Sequence, residues 1–176
     1  VIQQIESFKN TFLYFFSFKG LMLYLVTLVF VKSLHELGHA FVSKYFGCRV
    51  SSIGIAFLVF FPFLYTDTSD AWRLRDHKDR LLINFAGILT ELHLALISTF
   101  LWAILPDGGL KSVAFFIATT SWISSLAINV SPFMRFDGYY VFSDWLKAEN
   151  LQPRSFALAR WQLREILFGF NHPPPE

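Results

Sequence analysis

The chain has 176 residues, enough for one domain, of which 54% are hydrophobic, 19% aromatic and only 16% charged. With a mean hydropathy of +0.45, this composition excludes an ordinary water-soluble domain and predicts an integral, multi-pass membrane protein in contact with the lipid bilayer. The net charge of +2 comes from scattered basic residues, so we expect no nucleic-acid partner.

Residues 1–19 precede the first long apolar stretch and mix apolar with charged side chains. Their phenylalanines recur at helical spacing, at Phe8, Phe12, Phe15 and Phe16. This pattern is typical of a helix that lies at the membrane interface, and an irregular lead-in is the alternative.

From Gly20 the sequence is apolar up to residue 31 except for Thr27, and helical continuation to about Tyr45 would cross the ~30 Å hydrocarbon layer. The second half of this span contains H-E-x-x-H, at residues 35–39. Four-residue spacing places His35 and His39 one turn apart on one helix face, where both can bind one zinc ion as the cofactor of the chain. Glu36 would then lie beside the zinc as the base that takes a proton from activated water.

Residues 50–66 are apolar but rich in β-branched and aromatic side chains, with Gly54 and Pro62 interrupting them. We therefore predict a strand or a re-entrant β-like hairpin here, with a third short span as the alternative. Non-helical backbone at membrane depth must be shielded by protein or line a wet cavity, which suits a lid or a substrate-binding edge beside the zinc. Residues 67–80 are predicted to form a soluble connection.

Two more spans are predicted, at residues 81–105 and 110–130, which gives an all-α, three-span transmembrane bundle with peripheral short helices. Glu91 lies inside the second span, and an intramembrane carboxylate is a functional hypothesis by default. Glu91 and His93 would point to nearly opposite sides of that helix, so both cannot readily bind one metal.

A catalytic zinc requires three protein ligands, and the first helix supplies only two. The candidates for the third are the carboxylates nearest the spans, Asp67, Glu91, Asp137 and Asp144. Antiparallel spans place the ends of the first and third spans on the same side, which favours Asp137. Pro132 and Gly138 would let the chain leave the helix and turn that carboxylate inward, into a loop before a short helix at 139–148. Glu91, about ten residues or roughly 15 Å into the second span, remains the alternative.

The chain divides into a lead-in at 1–19, a core at 20–150 and a tail at 151–176 that is basic and amphipathic. A start at Val1 and an end in three prolines and Glu176 suggest a piece of a longer protein, so flanking domains are expected. Basic residues after the first span outnumber those before it, which places that side in the cytoplasm.

These residues together resemble the site-2 protease family of intramembrane zinc metallopeptidases. The resemblance is carried by residues 35–39, by Ala86-Gly87 and by Asn129...Pro132...Asp137-Gly138, and residues 129–146 are similar to the bacterial branch called peptide zinc metalloproteases. It implies a three-span catalytic core in a bacterial cytoplasmic membrane, with His35, His39 and Asp137 as zinc ligands. It also implies that Glu36 is catalytic and that Asn129 helps to position substrate.

The function expected from the sequence is a membrane zinc endopeptidase that cleaves a peptide or a membrane-bound protein. Its general base and acid would be Glu36. The alternatives are a metal-binding membrane module that acts in regulation or transport without proteolysis, and a membrane hydrolase of another class. An inactive relative would normally have lost Glu36, which is present here.

Overall fold

The computed structural model describes residues 17–58, 61–131, 134–148, 150–170 and 173–175, and within them the chain forms five α-helices and one two-stranded hairpin. The predicted interfacial helix falls almost entirely on residues 1–16, outside the described part, together with its phenylalanines. Pro132, the predicted helix breaker, also lies outside it.

Helix α1, Phe18–Tyr45, carries the zinc-binding pattern. Ser17 caps its start by accepting a hydrogen bond from the amide three residues later, at 3.0 Å. The helix ends at Tyr45, as predicted, and Gly47 two residues later adopts a positive φ of 75°. The Gly47 amide donates to the Lys44 carbonyl at 3.0 Å and the next amide donates to Ser43 at 2.9 Å, which closes the helix in a Schellman motif.

The predicted hairpin is confirmed as strands β1, Ile53–Leu58, and β2, Phe61–Thr66, paired antiparallel with residue 53 opposite residue 66. Strand β2 packs against α1. The Thr66 hydroxyl donates a 3.0 Å hydrogen bond to the backbone carbonyl of Glu36. The hairpin is therefore fixed beside the zinc-binding pattern.

A short 3₁₀ turn, Ser69–Arg73, leads to helix α2, His77–Ile104. Helix α3, Gly109–Trp122, follows and continues as a π-helical segment, Ile123–Asn129. Helix α2 packs against both α1 and α3. It is therefore the central element of the bundle.

In the described part of the chain, three helices are long and apolar enough to cross a membrane: α1, α2, and α3 with its π-helical segment. Large apolar side chains point outward, such as Val26, Phe41 and Phe100, which are 65 to 70% exposed. The bundle interior instead holds polar groups, including the fully buried Glu91. Apolar surfaces around a polar interior are expected of a bundle in lipid, so the predicted three-span helical fold is confirmed.

Helix α4, Asp137–Leu146, begins two residues earlier than predicted. Asp137 is therefore the first residue of a helix, and the predicted loop around it was wrong. The glycine beside it, Gly138, has no positive φ. A Cβ there would collide with the Asn129 carbonyl and the Val130 backbone, so the glycine allows α4 to pack closely against the end of the third span. Helix α5, Leu151–Phe168, completes the fold and has no buried residue.

Candidate metal centre

The two histidines of α1 are buried side by side in the bundle, His35 at 4% and His39 at 7% exposure. Their Nε2 atoms are 3.2 Å apart, and their rings meet edge to face. The predicted one-turn spacing therefore brings the same ring nitrogen of each histidine to one point.

The carboxylate of Asp137 reaches this point from the start of α4. Its Oδ2 lies 2.8 Å from Nε2 of His35 and 3.3 Å from Nε2 of His39. Within the described ranges, these three residues form the cluster of histidine, cysteine and carboxylate side chains that could hold a metal ion.

The size of this triangle fits a zinc ion. Its three edges measure 2.8, 3.2 and 3.3 Å. Ligands about 2.0 to 2.1 Å from a tetrahedral ion stand about 3.3 Å from one another, and two imidazoles with one carboxylate form a donor set that catalytic zinc uses.

The hydrogen bonding of His39 supports the same conclusion. Its Nδ1 is 2.8 Å from the backbone carbonyl of Ile83, which can only accept, so Nδ1 carries the proton. The Nε2 atom of the neutral ring therefore presents a lone pair to the carboxylate of Asp137. Two acceptors that face each other in a buried site repel unless a cation lies between them.

Gly87 of α2 forms the floor of the centre. A Cβ at this position would overlap Nε2 of both His35 and His39. Only glycine allows the α2 backbone to approach the two imidazoles this closely.

A cleft of about 660 Å³ opens beside the centre. It is lined by His39, Asp137 and the half-buried side chain of Glu36. Its walls come from the end of β2, the 3₁₀ turn, and the facing sides of α2 and α4. Glu36, the residue predicted to act as base, therefore shares one solvent-accessible space with two of the three metal-site residues.

Two carboxylates that line the cleft, Asp137 and Asp67, are held in the ionised form. Burial acts to raise the pKa of Asp137, but a proton on Nε2 of His35 or His39 adds hydrogen bonds and charge interactions that outweigh burial and lower that pKa. Hydrogen bonds from the hydroxyl and amide of Ser69 lower the pKa of Asp67. An ionised Asp137 is the form that can bind a metal.

The other candidate ligands are not part of the metal cluster. The Asp144 carboxylate accepts a 2.7 Å hydrogen bond from Asn84, which ties α4 to α2. Asp67 accepts a 3.0 Å hydrogen bond from the amide of Ser69 in its own turn. Glu91 contacts Nδ1 of His35, the nitrogen that does not belong to the metal cluster, at 3.0 Å.

The structure also describes His93 and Asn129, two further residues that the sequence analysis considered. His93 is exposed, and its Nδ1 lies 2.7 Å from the carbonyl of Leu89, so it is separated from Glu91 as the helix geometry predicted. Asn129 is buried at the end of the π-helical segment, where its Nδ2 donates to Oε2 of Glu91 at 2.9 Å.

Lys32 was not identified from the sequence as a site residue. Its Nζ lies 2.8 Å from Oε1 of Glu91. A sequence signal for it exists, because Lys32 is a charged residue directly after the apolar run of the first span and lies three residues before His35, on the same helix face.

Comparison with known proteins places the chain in a family. The sequence model of Peptidase family M50 matches residues 22–120, more than half of the chain. The chain belongs to Peptidase family M50, the site-2 protease family. M50 members are membrane zinc metallopeptidases, and the three apolar helices agree with an integral membrane protein. No curated protein matches the chain. The M50 match includes the H-E-x-x-H pattern and α2 but ends before Asn129 and Asp137.

Proposed function

We propose that this M50 chain hydrolyses peptide bonds in a peptide or a membrane-bound protein, with one zinc ion held by His35, His39 and Asp137. The observation that carries the proposal is the convergence of two imidazole nitrogens and one carboxylate oxygen within 3.3 Å of one another, beside an open cleft. Zinc bound there supplies Lewis acidity and makes water nucleophilic near neutral pH.

Glu36 is the proton carrier in this proposal. It follows His35 directly on α1 and faces the cleft beside His39, but it is not part of the metal cluster. Its carboxylate accepts a proton from water as the oxygen attacks the scissile carbonyl carbon. When the carbon–nitrogen bond breaks, Glu36 delivers that proton to the leaving amine, so one water is consumed for each bond cleaved.

The hairpin provides a place for an extended substrate. Leu64, Tyr65 and Thr66 of β2 line the cleft, and β2 pairs with β1 along one edge. An extended peptide that pairs with the other edge of β2 would lie beside Glu36 and the metal cluster. Backbone pairing holds a substrate without requiring particular side chains.

The test is proteolysis by the purified chain in detergent, with casein and a transmembrane polypeptide as substrates. We expect cleavage that stops when a chelator removes the metal and returns when zinc is added in stoichiometric amount. Binding of one zinc per chain without cleavage of any polypeptide would favour the non-proteolytic metal-binding module. Cleavage that persists in the metal-free chain would contradict the proposed mechanism.

A further inference from the structure

We propose that Glu91 is a positioning residue for the metal centre, which accepts a hydrogen bond from Nδ1–H of His35 and so directs Nε2 of that ring to the zinc. The proposal rests on the proposed function in one respect, that His35 binds the metal. Glu91 itself touches neither metal nor substrate, and acts through the histidine.

The contact has the geometry of a charge-assisted hydrogen bond. Oε1 of Glu91 is 3.0 Å from Nδ1 of His35, while Nε2 of the same ring is 2.8 Å from Asp137. Glu91 is fully buried, so this bond does not compete with water. An imidazole whose Nδ1 carries the proton has its free lone pair on Nε2, the atom that lies in the cluster.

The carboxylate of Glu91 is held from several sides. Its Oε1 accepts from Nζ of Lys32 at 2.8 Å and from the hydroxyl of Ser124 at 3.1 Å. Its Oε2 accepts from Nδ2 of Asn129 at 2.9 Å. These bonds come from the first and third spans, so Glu91 cannot rotate away from His35 without breaking them.

The positive charge of Lys32 offsets the cost of burying the Glu91 carboxylate inside a membrane bundle. A buried carboxylate is very costly when unpaired, and the ammonium of Lys32 neutralises it. Lys32 is also 3.5 Å from Oδ1 of Asn129, which orients the amide so that its nitrogen faces Glu91.

The two histidines are oriented by different groups. Nδ1 of His39 bonds to the neutral carbonyl of Ile83, whereas Nδ1 of His35 bonds to a carboxylate. A carboxylate partner makes an imidazole a more basic metal ligand, and loss of such a partner typically weakens metal affinity by about 10- to 100-fold. We therefore expect His35 to depend strongly on Glu91.

The competing explanation is that Glu91 and Lys32 form only an ion pair that joins α1 to α2. In that case a matched apolar replacement of both residues would restore the bundle and leave the metal site unchanged, since buried ion pairs can be replaced by apolar side chains at little cost. If Glu91 positions His35, the same replacement would restore stability but not zinc affinity.

The experiment compares four purified proteins: wild type, Glu91→Gln, the double variant Lys32→Met with Glu91→Leu, and His93→Gln. His93→Gln is the matched control, because His93 lies on the same helix but is exposed. Each protein is measured for zinc affinity by competition with a chelator, for the visible absorption of bound Co²⁺, and for thermal unfolding without metal.

We expect zinc affinity to fall by about 10- to 100-fold in Glu91→Gln and in the double variant. We also expect a changed Co²⁺ spectrum in both, while the double variant unfolds near the wild-type temperature and His93→Gln matches wild type throughout. Wild-type zinc affinity and Co²⁺ spectra in both Glu91 variants would overturn the positioning role and leave the proposed function intact. Failure of the wild type itself to bind zinc would instead contradict the proposed function.

Discussion

Gly87 lies against the imidazole of His35 so closely that a single added methyl group would overlap the ring at Nε2 and Cε1. Close contact between the backbone of the second span and a side chain of the first leaves no room for a water molecule or a larger residue. A Cβ at Gly87 would also overlap Nε2 of His39. This one glycine therefore fixes how closely α2 approaches both histidines of the metal cluster.

Gly87→Ala should therefore weaken zinc binding by about tenfold or more, although alanine normally favours a helix by about 1 kcal/mol over glycine. The added methyl must displace both imidazoles from the triangle. Chelator competition measures the loss. Gly109→Ala is the control, because a Cβ there meets no atom within 4 Å. Equal zinc affinity in the two variants would show that the α2 backbone can shift to accommodate the methyl group without displacing the histidines.

Glu36→Gln should lower turnover by at least the ~10²- to 10⁴-fold expected for loss of a general base, with zinc content unchanged. Glutamine is nearly the same size but cannot accept the proton from water. Zinc stoichiometry and cleavage rate are measured on the same preparation. Loss of zinc from this variant would mean that Glu36 is a ligand.

Asp137→Asn should weaken zinc binding by more than the ~10- to 100-fold caused by removing an outer hydrogen-bond partner, because it alters a direct ligand. His35→Ala and His39→Ala should have the same consequence. Asp144→Asn, on the same helix, serves for comparison, since its carboxylate bonds to Asn84 and not to the cluster. The assignment would be refuted by normal zinc binding and cleavage in Asp137→Asn.

The topology prediction concerns which side of the membrane the cleft faces. Basic residues cluster after the first span, at Lys44, Arg49, Arg73, Arg75, Lys78 and Arg80, so this side should be cytoplasmic. Three spans return α4, and Lys147 directly after it, to the same side. A reporter fused after Asp107, between α2 and α3, should lie outside, and one fused after Lys147 should lie in the cytoplasm. A cytoplasmic location after Asp107 would overturn the orientation.

The substrate-edge prediction concerns β2. A photoreactive amino acid at Tyr65, which is 40% exposed and lines the cleft, should cross-link to a bound peptide. The matched position is Ile123 on the third span, which is 51% exposed and absent from the cleft lining. Cross-links at Ile123 but not at Tyr65 would show that substrate binds elsewhere.

The sequence predicted the local features because local chemistry decides them. The spacing of His35 and His39 fixes their common helix face, and Gly47 ends α1 because a positive φ favours glycine. The apolar lengths predicted three spans, and the β-branched stretch with its interruptions predicted the hairpin.

The sequence could not choose among the carboxylates by residue type alone, because Asp67, Glu91, Asp137 and Asp144 have the same chemistry. The distances across the bundle bring Asp137 to Nε2 of His35 and Glu91 to Nδ1 of the same ring. A side chain can form hydrogen bonds only with polar atoms that the packing of neighbouring helices brings within about 3 Å. That packing depends on two close approaches: Gly87 meets histidines of another span, and Gly138 meets the end of the third span. Both become visible only in the tertiary structure.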